Sequence, residues 1–182
     1  MQVFLIRHPR PQIDDGICYG QLDIDAEDTR LVAARLKPLL PKDVPIISSP
    51  LRRARQLAEA LDPNTRIDAR LSEINFGEWE GKPWSGIGRE ALDAWAADVL
   101  NYTPPGGESA ANLQQRALSF AASLKGPHVA LVTHAGIMRA LIGHWQQLPV
   151  AEWTQLKFEF GSLTEIEVDI GDGATPRSDV ER

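Results

Sequence analysis

A single cysteine, Cys18, stands in the 182 residues. A lone thiol excludes an intrachain disulfide, a CxxC redox pair and a cysteine-based zinc site. Basic side chains are also in deficit, since 19 Lys and Arg against 25 Asp and Glu leave a formal net charge of -6. That balance argues against nonspecific nucleic-acid binding, which depends on neutralising many phosphates with cations. It leaves room for a small anionic ligand, because an arginine cluster can focus positive potential in a cleft of an acidic protein. No apolar run approaches the length needed to span a bilayer. The N-terminus enters a strand-like run without a basic stretch or a small-residue cleavage site, so a cytoplasmic protein with no membrane partner is the expectation.

What is present reads as ordinary globular composition, with 43% hydrophobic and 24% charged residues. The length suits one substantial core. Val3-Phe4-Leu5-Ile6 reads as a buried strand, followed over residues 9–24 by a loop broken by Pro9, Pro11, Gly16 and Gly20. Leu31, Val32, Leu36, Leu39 and Leu40 fit one face of a helix from Ala26 to Leu40, with Asp25 and Asp28 at its first turn. Val44-Pro45-Ile46-Ile47 is a second strand, and Ser48-Ser49-Pro50 opens a helix to Leu61. Residues 109–124 read as a helix with Ser109 as its cap, 128–133 as a strand, 136–147 as a helix and 163–170 as a last strand. The alternation predicts an α/β fold: a single three-layer domain over residues 1–170, with a mostly parallel central sheet flanked by helices. Residues 74–108 interrupt the rhythm and form a small cap, in which Trp79, Trp84 and Trp95 are packing anchors or a substrate lid. Residues 171–182 are a polar tail.

Two histidines share a context. His8 follows Leu5-Ile6-Arg7, and His134 follows Val129-Ala130-Leu131-Val132-Thr133, so each is delivered to an exposed strand end. Arg7 beside the first points to an anion. A metal site is disfavoured, because neither histidine has a His, Asp or Glu at ligand-like spacing and the nearby arginines would repel a cation. His128 and His144 read as a strand-start residue and a helix-face residue.

Four ordered fragments extend this pattern: Leu5-Ile6-Arg7-His8, Ser48 to Ala54, Leu71-Ser72-Glu73 followed by Gly77-Glu78-Trp79-Glu80-Gly81, and Val132-Thr133-His134-Ala135-Gly136. Together, over about residues 3–161, the chain resembles the histidine phosphatase superfamily, in the branch that includes the cofactor-dependent phosphoglycerate mutases. The resemblance implies a phosphomonoesterase that uses neither metal nor organic cofactor and acts on a small phosphorylated metabolite. It implies that His8 is transiently phosphorylated, that Arg7, Arg53 and His134 hold the phosphoryl group, and that Glu73 handles the proton, with Glu78 and Glu80 as fallbacks. Such a division of labour is chemically sound. A neutral imidazole is an adequate nucleophile, guanidinium forks suit phosphate oxygens, and a transferring phosphoryl group needs mainly positioned positive charge. A hydrogen bond from the other ring nitrogen of His8 to a backbone carbonyl would fix the required tautomer.

The family usually has glycine after the nucleophile, whereas this chain has Pro9, which removes a backbone N–H and fixes φ. Arg10 adds a charge that contacts substrate or points into solvent. Ile17-Cys18-Tyr19-Gly20-Gln21-Leu22-Asp23 is similar to a loop of the α-ribazole phosphatase subgroup, which implies substrate contacts at Arg10, Tyr19 and Gly20 and a place in cobalamin synthesis. A phosphoglycerate mutase and a non-catalytic phospholigand-binding regulatory module are the competing readings.

Overall fold

The computed structural model describes residues 1–169, so the tail expected at 171–182 lies outside the described residues. Among them, β1 (Gln2–Arg7), β2 (Ile46–Ser48), β3 (Arg66–Ile67), β4 (His128–Thr133) and β5 (Leu163–Glu167) form a five-stranded sheet in the order β3-β2-β4-β1-β5. All neighbours run parallel except β5, which lies antiparallel to β1. The protein is a single α/β domain.

Strand periodicity builds the three layers. Val3 and Leu5 of β1 enter one core with Leu113, Phe120, Met138 and Leu141, under α4 (Ala110–Ala121) and α5 (Ala135–Trp145). Phe4 and Ile6 enter the opposite core with Leu36, Leu57 and Leu61, under α1 (Thr29–Leu36) and α2 (Arg52–Leu61). Both faces are covered, as continuous apolar strands require. Ser109 caps α4 in a reciprocal capping box with Asn112, as its sequence position predicts.

The helix expected over 26–40 is shorter. It begins at Thr29 after Asp28, which adopts a left-handed φ of 48° without a side-chain cap, and it passes at Lys37 into a 3-10 turn containing Pro38. Leu31 and Leu39 are exposed, so the buried face consists of Ala33 and Leu36 with Val32 and Leu40 alongside. Asp25 serves the tertiary structure instead, accepting from Arg52 at 2.5 Å and Gln56 at 2.7 Å on α2. The second strand starts two residues later than expected, at Ile46, and α2 starts at Arg52, leaving Ser49, Pro50 and Leu51 as the connection.

Residues 74–108 contain two single turns of 3-10 helix, Gly77–Trp79 and Trp84–Gly86, and α3 (Arg89–Ala97). Phe76, Trp79, Trp84, Trp95 and Tyr102 pack in T-shaped and stacked pairs with ring centroids 5.4 to 6.4 Å apart. Cys18 is buried in this satellite core with Trp79 and Ile87. The short helix α6 (Val150–Trp153) had no counterpart in the sequence reading.

Candidate active site

Pairing β1 with β4 in parallel, with Arg7 opposite Thr133, brings the next residues of both strands together at the carboxyl end of the sheet. His8 and His134 therefore lie side by side, with ring centroids 5.0 Å apart. The backbone of His8 is fixed from two sides, its N–H donating to Thr133 O at 3.0 Å and its carbonyl accepting from Gly161 N at 3.0 Å. Both rings are buried.

The tautomer of His8 is set locally. Its Nδ1 lies 2.6 Å from the carbonyl oxygen of Pro9, an obligate acceptor, so Nδ1 carries the proton and Nε2 keeps its lone pair. Burial, then the Arg53 charge, hold the imidazole well below its ordinary pKa against the opposing Pro9 hydrogen bond, and Arg7 adds to the depression. The ring is neutral near pH 7. Pro9 lacks an amide proton, yet its carbonyl supplies the bond that orients the ring.

His134 is likewise held neutral, by burial first and then by Arg53 and His8. Its Nε2 lies 2.8 Å from Ser49 Oγ, so the β2–α2 connection positions the ring. Arg7 Nη1 donates to Phe158 O at 2.5 Å, and its guanidinium stacks 3.7 Å above the Phe160 ring. Arg53, from the first turn of α2, is fully buried and donates to Leu22 O at 2.7 Å and Gly20 O at 2.5 Å. Arg7 Nε, Arg53 Nε and His134 Nδ1 are buried polar atoms without a partner among the described residues. Groups of this kind are expensive in an apolar interior unless a ligand meets them, and two of the three are guanidinium donors that suit phosphate oxygens.

Glu73 sits across from these groups. Its carboxylate accepts from Ile74 N at 3.0 Å and Gly136 N at 3.3 Å, the latter in the first turn of α5. Neither fallback carboxylate competes for its place. Glu78 is exposed, and Glu80 Oε1 accepts from the amides of Gln21 at 2.8 Å and Phe76 at 2.9 Å, tying two loops together. Tyr19 lies beneath Arg53, whose guanidinium carbon is 5.1 Å from the ring centroid. Burial raises the Tyr19 phenol pKa, so it stays protonated. Gly20 is a packing glycine, since a Cβ there would stand 2.2 Å from Glu80 Oε1 and 2.7 Å from Ile74 O. Arg10 is placed elsewhere. It forms a half-exposed ion pair with Asp15 at 2.5 Å and is not among the residues lining the cavity.

That cavity, of about 640 Å³, opens between the sheet end and residues 74–99. Arg7, Tyr19, Gly20 and Glu73 line it, and Phe76, Trp84 and Trp95 form an aromatic wall, whereas the buried His8, Arg53 and His134 are, like Arg10, not among its lining residues. The opposite wall brings residues that the sequence reading missed: Arg139 of α5 with Trp153, Thr154 and Gln155. Arg139 Nε donates to Leu156 O at 2.8 Å, and burial lowers its pKa while the nearby Glu73 charge opposes that shift. No local pattern marks such residues, because they reach the cavity only through the packing of α6 on α5 and of α5 on the sheet. Among the described residues no group of three or more His, Cys, Asp or Glu is arranged to hold a metal ion, and no helix is long and apolar enough to cross a membrane.

An α/β sheet that gathers two neutral imidazoles, two guanidinium groups and a carboxylate at the carboxyl ends of parallel strands has the makings of a phosphate-ester enzyme. The chain belongs to the histidine phosphatase superfamily (branch 1), which it matches over residues 3–177, and it is a phosphatase. It is 30% identical to a protein of Hydrogenobacter thermophilus named as a candidate phosphoserine phosphatase 2, over 92% of this chain and 90% of that one. It is 25% identical to the adenosylcobalamin/α-ribazole phosphatase of Salmonella typhimurium, over 92% and 91%. The native structure of mycobacterial glucosyl-3-phosphoglycerate phosphatase has a TM-score of 0.79 at 29% identity, covering 90% of this chain and 88% of that one. The α-ribazole likeness expected from the loop at 17–23 is therefore present, but it is weaker than the likeness to the phosphoserine phosphatase candidate.

Proposed function

We propose that the chain hydrolyses a small phosphomonoester through a phosphohistidine at His8. The reading rests on one observation above the others: His8 is buried and neutral, with Nδ1–H committed to Pro9 O and Nε2 left as the nucleophile. Nε2 attacks phosphorus while the bond to the leaving oxygen breaks and protonated Glu73 gives that oxygen its proton. Water then attacks the phosphohistidine, Glu73 takes the proton, and Nε2 leaves. Arg7, Arg53 and His134 hold the equatorial oxygens through both steps. Rapid quenching with a labelled substrate should trap an acid-labile, base-stable phosphoryl group that is absent from His8→Ala, and that variant should lose aryl phosphate hydrolysis. Turnover by His8→Ala at the parent rate would overturn the mechanism.

For the substrate, the aromatic wall of Phe76, Trp84 and Trp95 favours α-ribazole 5′-phosphate, whose planar base would lie against it. Arg139, on the opposite wall, favours a second class, in which the leaving group carries a carboxylate. Comparing kcat/KM for α-ribazole 5′-phosphate, phosphoserine, 3-phosphoglycerate and glucosyl-3-phosphoglycerate separates the two. An advantage for the acidic esters that disappears in Arg139→Gln assigns the second class, and an advantage for α-ribazole 5′-phosphate assigns the first.

A further inference from the structure

Arg116, on α4, is far from any motif of the sequence, yet all five of its N–H donors are engaged. Nη1 donates to the carbonyls of Arg70 at 2.8 Å and Ser72 at 2.6 Å, and Nη2 donates to that of Glu73 at 3.0 Å. Nη2 and Nε also grip the Glu108 carboxylate at 2.7 and 3.1 Å. Glu108 in turn accepts from Asn75 N at 3.0 Å, on the far side of Glu73. The one carbonyl of the 70–73 segment that Arg116 does not reach, Leu71 O, is held at 2.8 Å by Thr133, the residue before His134. Gln21 adds a second donor to Glu73 O at 2.8 Å. The end of a single 3-10 turn, Ala69–Leu71, and the residues that follow it are thus clamped on both sides of one carboxylate.

We propose that Arg116 is a positioning residue for proton transfer by Glu73. The proposal rests on the reading of Glu73 as the acid that protonates the leaving oxygen. The clamp fixes the backbone from which the Glu73 side chain hangs, while Ile74 N and Gly136 N aim its carboxylate. Proton transfer demands this precision, since a displacement of about 1 Å costs about 10²-fold in rate. Lysine cannot replace the clamp, because it offers three donors from a single point where Arg116 uses a planar fork.

The test uses the demand that a leaving group makes on its acid. A nitrophenolate departs without a proton, whereas an alkoxide needs one, so kcat/KM for phosphoenzyme formation should depend on Glu73 only for alkyl phosphates. Glu73→Gln should slow an alkyl phosphate about 10²- to 10⁴-fold and nitrophenyl phosphate far less. Arg116→Lys should show the same selectivity at about 10²-fold, with little further loss when combined with Glu73→Gln. If Arg116→Lys does not fold, Glu108→Gln, which weakens the same clamp, should give the same selectivity at smaller amplitude. Equal slowing of aryl and alkyl esters by these variants, or no slowing, overturns the positioning role while leaving Glu73 as the acid. Unselective kinetics in Glu73→Gln itself overturns the acid assignment, and the Arg116 proposal with it.

Discussion

A fully buried guanidinium is costly unless its donors are met, and Arg53 meets the carbonyls of Gly20 and Leu22 while leaving Nε free beside the two histidines. The same side chain holds two carbonyls of the 16–24 loop and depresses the pKa of both imidazoles, and in the proposed mechanism it also presents a donor to the phosphoryl oxygen. No other side chain can replace it in all three roles. Arg53→Lys should lower kcat/KM for nitrophenyl phosphate by about 10²- to 10³-fold, the range for losing one preorganised donor at a developing oxyanion. Because this ester needs no proton from Glu73, the loss would exclude proton transfer and report the phosphoryl contact together with the loop order and imidazole neutrality that Arg53 also sustains. Parent-like kcat/KM in Arg53→Lys would remove Arg53 from the site. Pro9 shows a related point. The sequence marks what proline takes away, its N–H, whereas the structure shows what it keeps, a carbonyl that receives the His8 proton at 2.6 Å.

At the level of elements, the first turn of α5 meets Glu73 so closely that a side chain has no room. A Cβ on Gly136 would lie 2.2 Å from Glu73 Oε1 and 3.2 Å from Leu113 Cδ1. Alanine favours a helix over glycine by about 1 kcal/mol, and the carboxylate can swing aside, so Gly136→Ala should unfold at a temperature no lower than the parent. It should nonetheless lose alkyl phosphate turnover by about 10²-fold, measured against nitrophenyl phosphate as an internal control. Lowered stability with unchanged alkyl turnover would contradict the placement of Glu73. The strands carrying His8 and His134, and Ser109 as the cap of α4, were legible because each is written in consecutive residues, whereas the Asn112 half of the capping box was not. The assignment of Arg53, Glu73 and His134 as one group came from the resemblance, since their sequence separation says nothing of contact until β2 pairs with β4 and Glu73 meets the first turn of α5. Arg116 and Arg139 were not legible at all, because a solvated helix arginine and one turned into a clamp or a cavity look alike in sequence. Arg10, two residues after His8 in the chain, pairs with the exposed Asp15, one of the two placements its sequence position leaves open.

For the whole molecule, two forces act on acidification and have opposite signs. The net charge of -6 shrinks toward zero as pH falls, which relieves self-repulsion and favours the compact state weakly. Against this, His8 and His134 are buried neutral, with folded pKa values well below 6.5, the ordinary value to which they return on unfolding. Between the two values the unfolded chain binds more protons than the fold, so stability rises with pH there. The contribution is complete above about pH 6.5 and is lost as pH falls toward the depressed folded values. Each imidazole supplies a slope of up to roughly 1.4 kcal/mol per pH unit, enough for the pair to outweigh the relief of repulsion. Asp68, whose pKa is lowered mainly by its hydrogen bond from Arg70, acts in the same direction but in a separate window below the ordinary carboxylate range. Urea unfolding in phosphate-free buffer should therefore give a free energy that is level from pH 8 to 7 and falls between pH 6.5 and 5.5. Phosphate must be left out because an anion bound to the native site would stabilise the fold by mass action. His8→Gln should remove about half of the slope. A profile that instead rises as pH falls would mean that the fold raises the pKa of these imidazoles and carries them charged, and a flat one that it does not depress them. A charged His8 has no lone pair on Nε2, so the same titration would then also rule out its attack on phosphorus near neutral pH.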